Sequence, residues 1–262
     1  MKIKFSIITC TYNSEKYIQD NIKSVKNQTF KNFEHVFIDG FSTDKTIEII
    51  KKYQKEFPKK VRIFQIPPKG ISNAMNEGIK KSTGNYLIHV HSDDYLYNNK
   101  VLKDTDTFLK LKNYPDWIYG KIRVLEEDNS EIGIFPNYKF LHFSHKSKIG
   151  KYLIKYLNFI PHQAVFIKKT VFNKYGYFDE SIKSIMDLDL WIRITKNTKW
   201  LFTDKIICNY KIRPDAQSSG NKNTNTNRIN LKIVQKRYMN TIELFFSTII
   251  NKIIIKLNKT KR

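Results

Sequence analysis

Apolar residues in the first half of the chain come in short dense runs. Between the runs they recur every three or four positions. The runs at 4–9, 33–38, 61–65, 84–91 and 117–124 are rich in Ile, Val, Phe and Tyr, and each reads as a strand. In the first interval Tyr17, Ile18, Ile22 and Val25 fall on one helical face, and Asn13 or Ser14 stands in a capping position. Residues 42–57, 70–82 and 98–111 read as further helices. This alternation predicts an α/β fold whose mainly parallel sheet is joined by helical crossovers.

The second half is less regular. Residues 125–160 mix both patterns, and 161–182 read as turn, short strand, short helix and Gly-containing loop. Residues 185–195 form a helix with Ile185, Leu188, Trp191 and Ile192 on one face. Asp187 and Asp189 lie elsewhere, about 200° apart around that helix, so only one of them can enter a given cleft. The Thr/Asn/Ser/Gly-rich stretch 215–227 reads as a mobile loop or linker.

Parallel sheets bind ligands outside the carboxyl ends of their strands. That rule gathers residues 9–13, Asp39, the 67–70 turn and the Asp93–Asp94 pair at one edge. Adjacent carboxylates at the end of a buried strand repel each other and lose hydration. A hard divalent cation, Mn2+ or Mg2+, relieves both penalties. The other reading is that the pair caps the next helix.

Charge adds a second constraint. The 262 residues carry 47 Lys+Arg against 24 Asp+Glu, a net charge of +23. From residue 205 onward 13 basic residues face 2 acidic ones, so that segment supplies +11. Such an excess attracts nucleic acid, anionic headgroups or nucleotide diphosphates. No helix-turn-helix, RNP or zinc signature accompanies it, so a nucleic-acid-binding protein stands only as a remote alternative. Cys10 and Cys208 sit in apolar strand-like runs and read as small buried hydrophobes in a reducing compartment. With no leader pattern and no apolar stretch of spanning length, a cytoplasmic location is expected. Near the C-terminus Ile242, Phe245, Phe246, Ile249, Ile250, Ile253 and Leu257 make a helical stripe edged by Lys252, Lys256, Lys259, Lys261 and Arg262. That helix either lies on an anionic membrane surface, at the inner face of a bacterial plasma membrane, or packs on the protein or a second subunit.

Six segments now stand in order: SIITCTYN, DGFSTDKT, GISNAMNEGI, HSDD, PHQAVFIKKTVF with GYFDES, and MDLDLWIRI. Together, over roughly residues 3–215, they resemble the family 2 glycosyltransferases of the GT-A (Rossmann-like) fold. The similarity is to the bacterial branch that builds lipopolysaccharide, capsule or exopolysaccharide units. The resemblance implies an inverting, metal-dependent hexosyltransferase-like enzyme. It would use a nucleotide-diphosphate sugar, UDP-sugar first, and a glycan or lipid-linked acceptor. It implies that Cys10, Thr11, Tyr12 and Asn13 lie against the base, that Asp39 binds base or ribose, and that Asn73 faces the donor. Asp93 and Asp94 would hold Mn2+ or Mg2+ on the diphosphate, with Asp93 also contacting the donor. Asp187 would be the general base, although its place at a helix start also suits a cap, and His162 and Gln163 would line the acceptor side. The expected organisation is a GT-A domain over 1–215, with a nucleotide-sugar half to about 115 and an acceptor half from 116, followed by a basic helical tail over 216–262. His91 stands where Asp or Asn is usual, and Pro68 and Asn73 where Asp is frequent. These departures keep open a catalytically inactive nucleotide-sugar-binding module.

Overall fold

Strands β1 (Phe5–Thr11) and β2 (Phe33–Asp39) are buried at every position. Their apolar runs do not alternate because both faces of the sheet are covered, as parallel central strands require. The computed structural model describes residues 3–137, 142–213, 221–245 and 247. The order of elements begins with β1, α1 (Ile18–Lys26), β2, α2 (Thr46–Glu56), β3 (Val61–Gln65) and α3 (Ile71–Lys81). There follow β4 (Tyr86–His89), β5 (Tyr95–Leu96), α4 (Val101–Leu111), β6 (Trp117–Leu125), β7 (Glu131–Phe135) and α5 (Lys148–Leu153). After a 3-10 turn at His162–Ala164 come β8 (Val165–Lys168), α6 (Lys169–Tyr175), α7 (Met186–Thr195), β9 (Trp200–Lys211) and α8 (Asn221–Tyr238).

The sheet runs β3-β2-β1-β4-β8-β6-β9-β5, with β7 paired to β6. From β3 to β4 it is parallel. β8 enters antiparallel between β4 and β6, and β9 then lies parallel to β6. The sheet is therefore mixed, with helices on both faces. The parallel register pairs Thr11 with Asp39 at one rim. Helix α1 begins at Ile18 and not behind Asn13 or Ser14. Asn13 is left-handed at φ 49°, and the Ser14 carbonyl is already engaged by the N–H groups of Tyr17 and Ile18. No helix starts at Asp93 or Asp94 either, since β5 follows them, which removes their capping alternative.

Two apolar layers sandwich the sheet, and neighbouring β1 residues point into opposite ones. Ile8 joins Met75, Ile79, Trp117, Trp191 and Trp200, whereas Ile7 joins Val25, Leu102 and Phe166. Trp117 stacks on Trp191 and Trp200 at centroid distances of 5.5 and 5.2 Å. Gly78 lets α3 lie directly on β1, because a Cβ there would come 2.3 Å from Ile8 Cγ2.

Helix α8 is seated on this body. Val234 joins the layer around the tryptophans, and Arg237 reaches Asp179 at 2.6 Å and Asp189 at 3.3 Å. Ile242 and Phe245, at the start of the apolar stripe, are exposed. The rest of the stripe and its Lys edge lie outside the described residues. Among the described residues no helix is long and apolar enough to cross a membrane.

Two interior histidines make stability depend on pH. His35 is fully buried. Its Nε2–H donates to Thr9 Oγ1 at 3.0 Å, because that hydroxyl gives its own proton to the Val90 carbonyl, and Nδ1 is left without a partner. Burial pushes its pKa down to about 3. Burial, then the nearby His162, bring His89 down to about 3 as well. The unfolded chain takes up these protons near the ordinary value of 6.5, so stability is lost as pH falls below it. Each histidine should remove about 1.4 kcal/mol per pH unit between about pH 6 and 5. Denaturant unfolding across that range measures the slope, and His35→Gln should lower it by that one histidine's share.

Candidate active site

A cleft of about 600 Å³ opens at the carboxyl rim of the parallel strands. One wall is the end of β1 (Cys10, Thr11, Tyr12), Gly40 and the 66–70 turn, and the floor is the His91–Asp94 segment. The opposite wall carries Asn158, His162, Gln163 and Ile185–Asp187, and Arg213 also lines the cleft. The structure thus brings together Cys10, Thr11, Tyr12, Asp93, Asp94, His162, Gln163 and Asp187. Burial raises the Cys10 thiol to about 12, so it stays protonated and serves as wall rather than nucleophile. Tyr12 is 61% exposed at the lip.

Asn13, Asp39 and Asn73 do not line the cleft. Asp39 is fully buried. Its oxygens accept from Thr11 Oγ1 at 2.9 Å, Ser42 N at 2.9 Å, Ser42 Oγ at 2.5 Å and Gln65 Nε2 at 3.3 Å. Asn13 Oδ1 accepts from Thr43 N at 2.9 Å, so both residues knit the ends of β1 and β2 together. Asn73 Nδ2 donates to Glu180 at 3.1 Å.

The floor is pinned from below. Asn21 of α1, fully buried, donates to the carbonyls of His91 at 2.9 Å and Asp94 at 3.1 Å. Asp94 is 1% exposed and accepts from Lys211 N at 3.2 Å. Burial, then the charge of Asp93, hold its carboxyl well above the usual range. Asp93 Oδ2 accepts from Arg213 Nε at 2.7 Å and stays on the cleft wall. Arg213 also lies 4.6 Å over the Tyr17 ring.

On the far wall, Ile185 precedes α7 at φ 57°, ψ 23°. A left-handed β-branched residue is strained by about 1–3 kcal/mol, and such outliers collect at functional sites. It delivers Asp187 into the first turn of the helix. Asp187 is not the cap, since Ile185 holds that position without a side-chain bond. Asp187 Oδ1 accepts from Leu188 N at 2.8 Å and Asn158 Nδ2 at 3.3 Å, and Oδ2 meets His162 Nδ1 at 3.3 Å. His162 Nε2 in turn sits 2.9 Å from His91 Nε2. Burial, then His162, push His91 well below the ordinary imidazole range and keep it neutral. Asp189 faces away and bonds Arg193 at 3.0 Å and Tyr238 at 2.9 Å, so only Asp187 reaches the cleft.

A divalent cation suits this donor set in one respect. Among the described residues no group of three or more acidic, His or Cys side chains could hold a metal ion. The chain offers two adjacent carboxylates and no closed cage. Mg2+-like ions take one or two carboxylates and complete their shell with substrate phosphates and water. The residues therefore fit a cation that arrives with a phosphorylated ligand.

Sequence reasoning passed over Arg213, Asn21 and Asn158, which carry no motif. It gave His91 no role. The signal there was its place two residues before Asp93.

The family model described as Glycosyl transferase family 2 matches residues 6–176. An uncharacterized glycosyltransferase of Rickettsia typhi is 28% identical over 216 residues, covering 82% of this chain and 65% of that protein. The Staphylococcus aureus poly(ribitol-phosphate) beta-N-acetylglucosaminyltransferase TarS is 38% identical over 109 residues, 41% of this chain and 19% of its own length. The chain thus spans less than two thirds of these curated relatives. The crystal structure of TarS 1-349 superposes with a TM-score of 0.64 at 26% identity, over 79% of this chain and 60% of that one. The same protein in complex with UDP-GlcNAc gives 0.68 at 24% identity, over 88% and 66%. A Pyrobaculum calidifontis mannosyltransferase in complex with GDP-Man and Mn2+ shares the fold, with a TM-score of 0.62 at 14% identity over 82% and 59%. By the family match across most of its length and by this architecture, the chain belongs to glycosyl transferase family 2, on the GT-A fold.

Proposed function

We propose that the chain transfers a sugar, with inversion, from a nucleotide-diphosphate donor to a hydroxyl of a glycan or lipid-linked acceptor in bacterial surface polysaccharide synthesis. The observation that carries this reading is one cleft with a paired-carboxylate floor and a single carboxylate, Asp187, on the wall beyond it. Asp187 takes the proton of the acceptor hydroxyl as the new bond forms. Inversion needs no covalent enzyme intermediate. Asp93, with Asp94 beside it, would hold Mn2+ or Mg2+, which supplies Lewis-acid stabilisation of the departing diphosphate. Arg213 shares Asp93 and adds positive charge at the same end of the cleft. UDP is the nucleotide we assign first, because neighbouring structures hold UDP and UDP-GlcNAc. A phosphate-rich acceptor accords with the net charge of +23 and with the relative that acts on poly(ribitol-phosphate). The basic C-terminal stretch would hold the protein on the inner face of the plasma membrane, next to a lipid-linked acceptor.

The test is calorimetry with UDP, GDP and dTDP, each with and without Mn2+, followed by donor hydrolysis on a panel of sugar nucleotides. UDP binding strengthened by Mn2+, with turnover of at least one donor, is expected. Binding without turnover on the whole panel would identify an inactive module, and no nucleotide binding would end the proposal.

A further inference from the structure

Two histidines join the floor of the cleft to its base. His91 Nε2 lies 2.9 Å from His162 Nε2, and His162 Nδ1 lies 3.3 Å from Asp187 Oδ2. All three residues line the cleft, and each is at least mostly shielded from solvent. Two imidazole nitrogens this close are bonded only if one of them carries a proton. If His162 were the neutral donor through Nε2, its Nδ1 lone pair would face the Asp187 carboxylate, and the two would repel. With His162 neutral, the arrangement that satisfies both contacts has His91 Nε2–H donating to His162 Nε2, and His162 Nδ1–H donating to Asp187 Oδ2.

Resting on the transfer reading above, we propose that His91 is a positioning residue for the reaction. It fixes the tautomer of His162, and His162 then aims Asp187. A carboxylate accepts in about four lone-pair directions. Leu188 N, Asn158 Nδ2 and His162 Nδ1 fill three of them. The fourth, on Oδ2, is left for the acceptor hydroxyl. The role asks for an N–H donor at position 91. Gln offers one at similar reach. Asp is acceptor-only: it would draw the His162 proton to Nε2 and turn a lone pair on Asp187, or leave His162 doubly protonated. Phe offers neither donor nor acceptor.

The experiment has two independent readouts on the full chain. In protein selectively labelled with 15N-histidine, without added metal, His162 is assigned by the signal lost in His162→Asn. The wild type should show a neutral His162 with its proton on Nδ1. His91→Asp should move that proton to Nε2 or produce the doubly protonated ring. In steady-state kinetics His91→Gln should keep kcat within about threefold, while His91→Phe and His91→Asp lower it about 10-fold or more, the scale of a displaced catalytic group, at unchanged donor KM. A wild-type His162 protonated on Nε2, or on both nitrogens, overturns the proposal. So does a His91→Gln enzyme that loses as much kcat as His91→Phe while melting at the wild-type temperature. If no donor is turned over, the transfer reading fails, and the tautomer in the wild-type protein still decides whether His91 sets the ring.

Discussion

Asp187→Asn should lower kcat by about 10²–10⁴-fold, the range for losing a general base. The amide keeps the size of the carboxylate and can still accept from Leu188 N, so α7 should start as before. What it loses is the capacity to take a proton from the acceptor. Because Asp187 stands on the wall opposite the β1 rim, UDP affinity measured by calorimetry should stay within about twofold. A variant that binds UDP normally and transfers at the wild-type rate would remove Asp187 from the mechanism. Asp189→Asn makes the contrasting control. Asp189 is buried among Arg193, Arg237 and Tyr238, so its loss should appear in melting temperature first.

Asp93→Asn should weaken Mn2+ binding in the presence of UDP by at least about 10–100-fold, since even supporting residues of metal sites cost that much. Electron paramagnetic resonance of free Mn2+ reads this directly. Activity should fall with it. The substitution also removes the Arg213–Asp93 ion pair from a partly buried position, where such a loss costs more than at the surface. Arg213→Gln separates the two effects. It frees Asp93 for the cation, so Mn2+ should bind the nucleotide-free protein more tightly, whereas UDP without metal should bind more weakly. Mn2+ binding in Asp93→Asn equal to wild type would place the cation elsewhere.

The parts of this architecture that could be read from the sequence are those where one local pattern decides. Strands β1 to β4 announce themselves as apolar runs, and the acidic residues at the end of β2 and beyond β4 mark the rim. The order of the strands beyond β4 was not legible. The run 165–168 that becomes β8 is four residues long, and nothing local says that it slots antiparallel between β4 and β6. Asp39 shows the limit at the site. Its position at the strand end pointed to the ligand, but Thr11 and Ser42, brought in by the register and the next turn, take up its oxygens. Asn21 reads as one more polar position on α1, yet it is buried and holds the floor. A lone amide pairs with whatever backbone the tertiary fold presents, and spacing carries no trace of that. His91 is the same kind of case, since its meaning depends on a second histidine 71 positions away.

The insertion of β8 also bears on how such enzymes could be recombined. It follows the turn with His162 and Gln163 and is zipped on one side to β4, which leads into the cleft floor, and on the other to β6. The parts we assign to donor and acceptor are therefore not separable cassettes. A chimaera cut between β4 and β6 leaves the central ladder to be rebuilt across foreign strands. Exchanging β6, β8 and β9 as a block keeps their mutual pairing, and requires both β4 and β5, the strands that flank the block, to be matched to the newcomer.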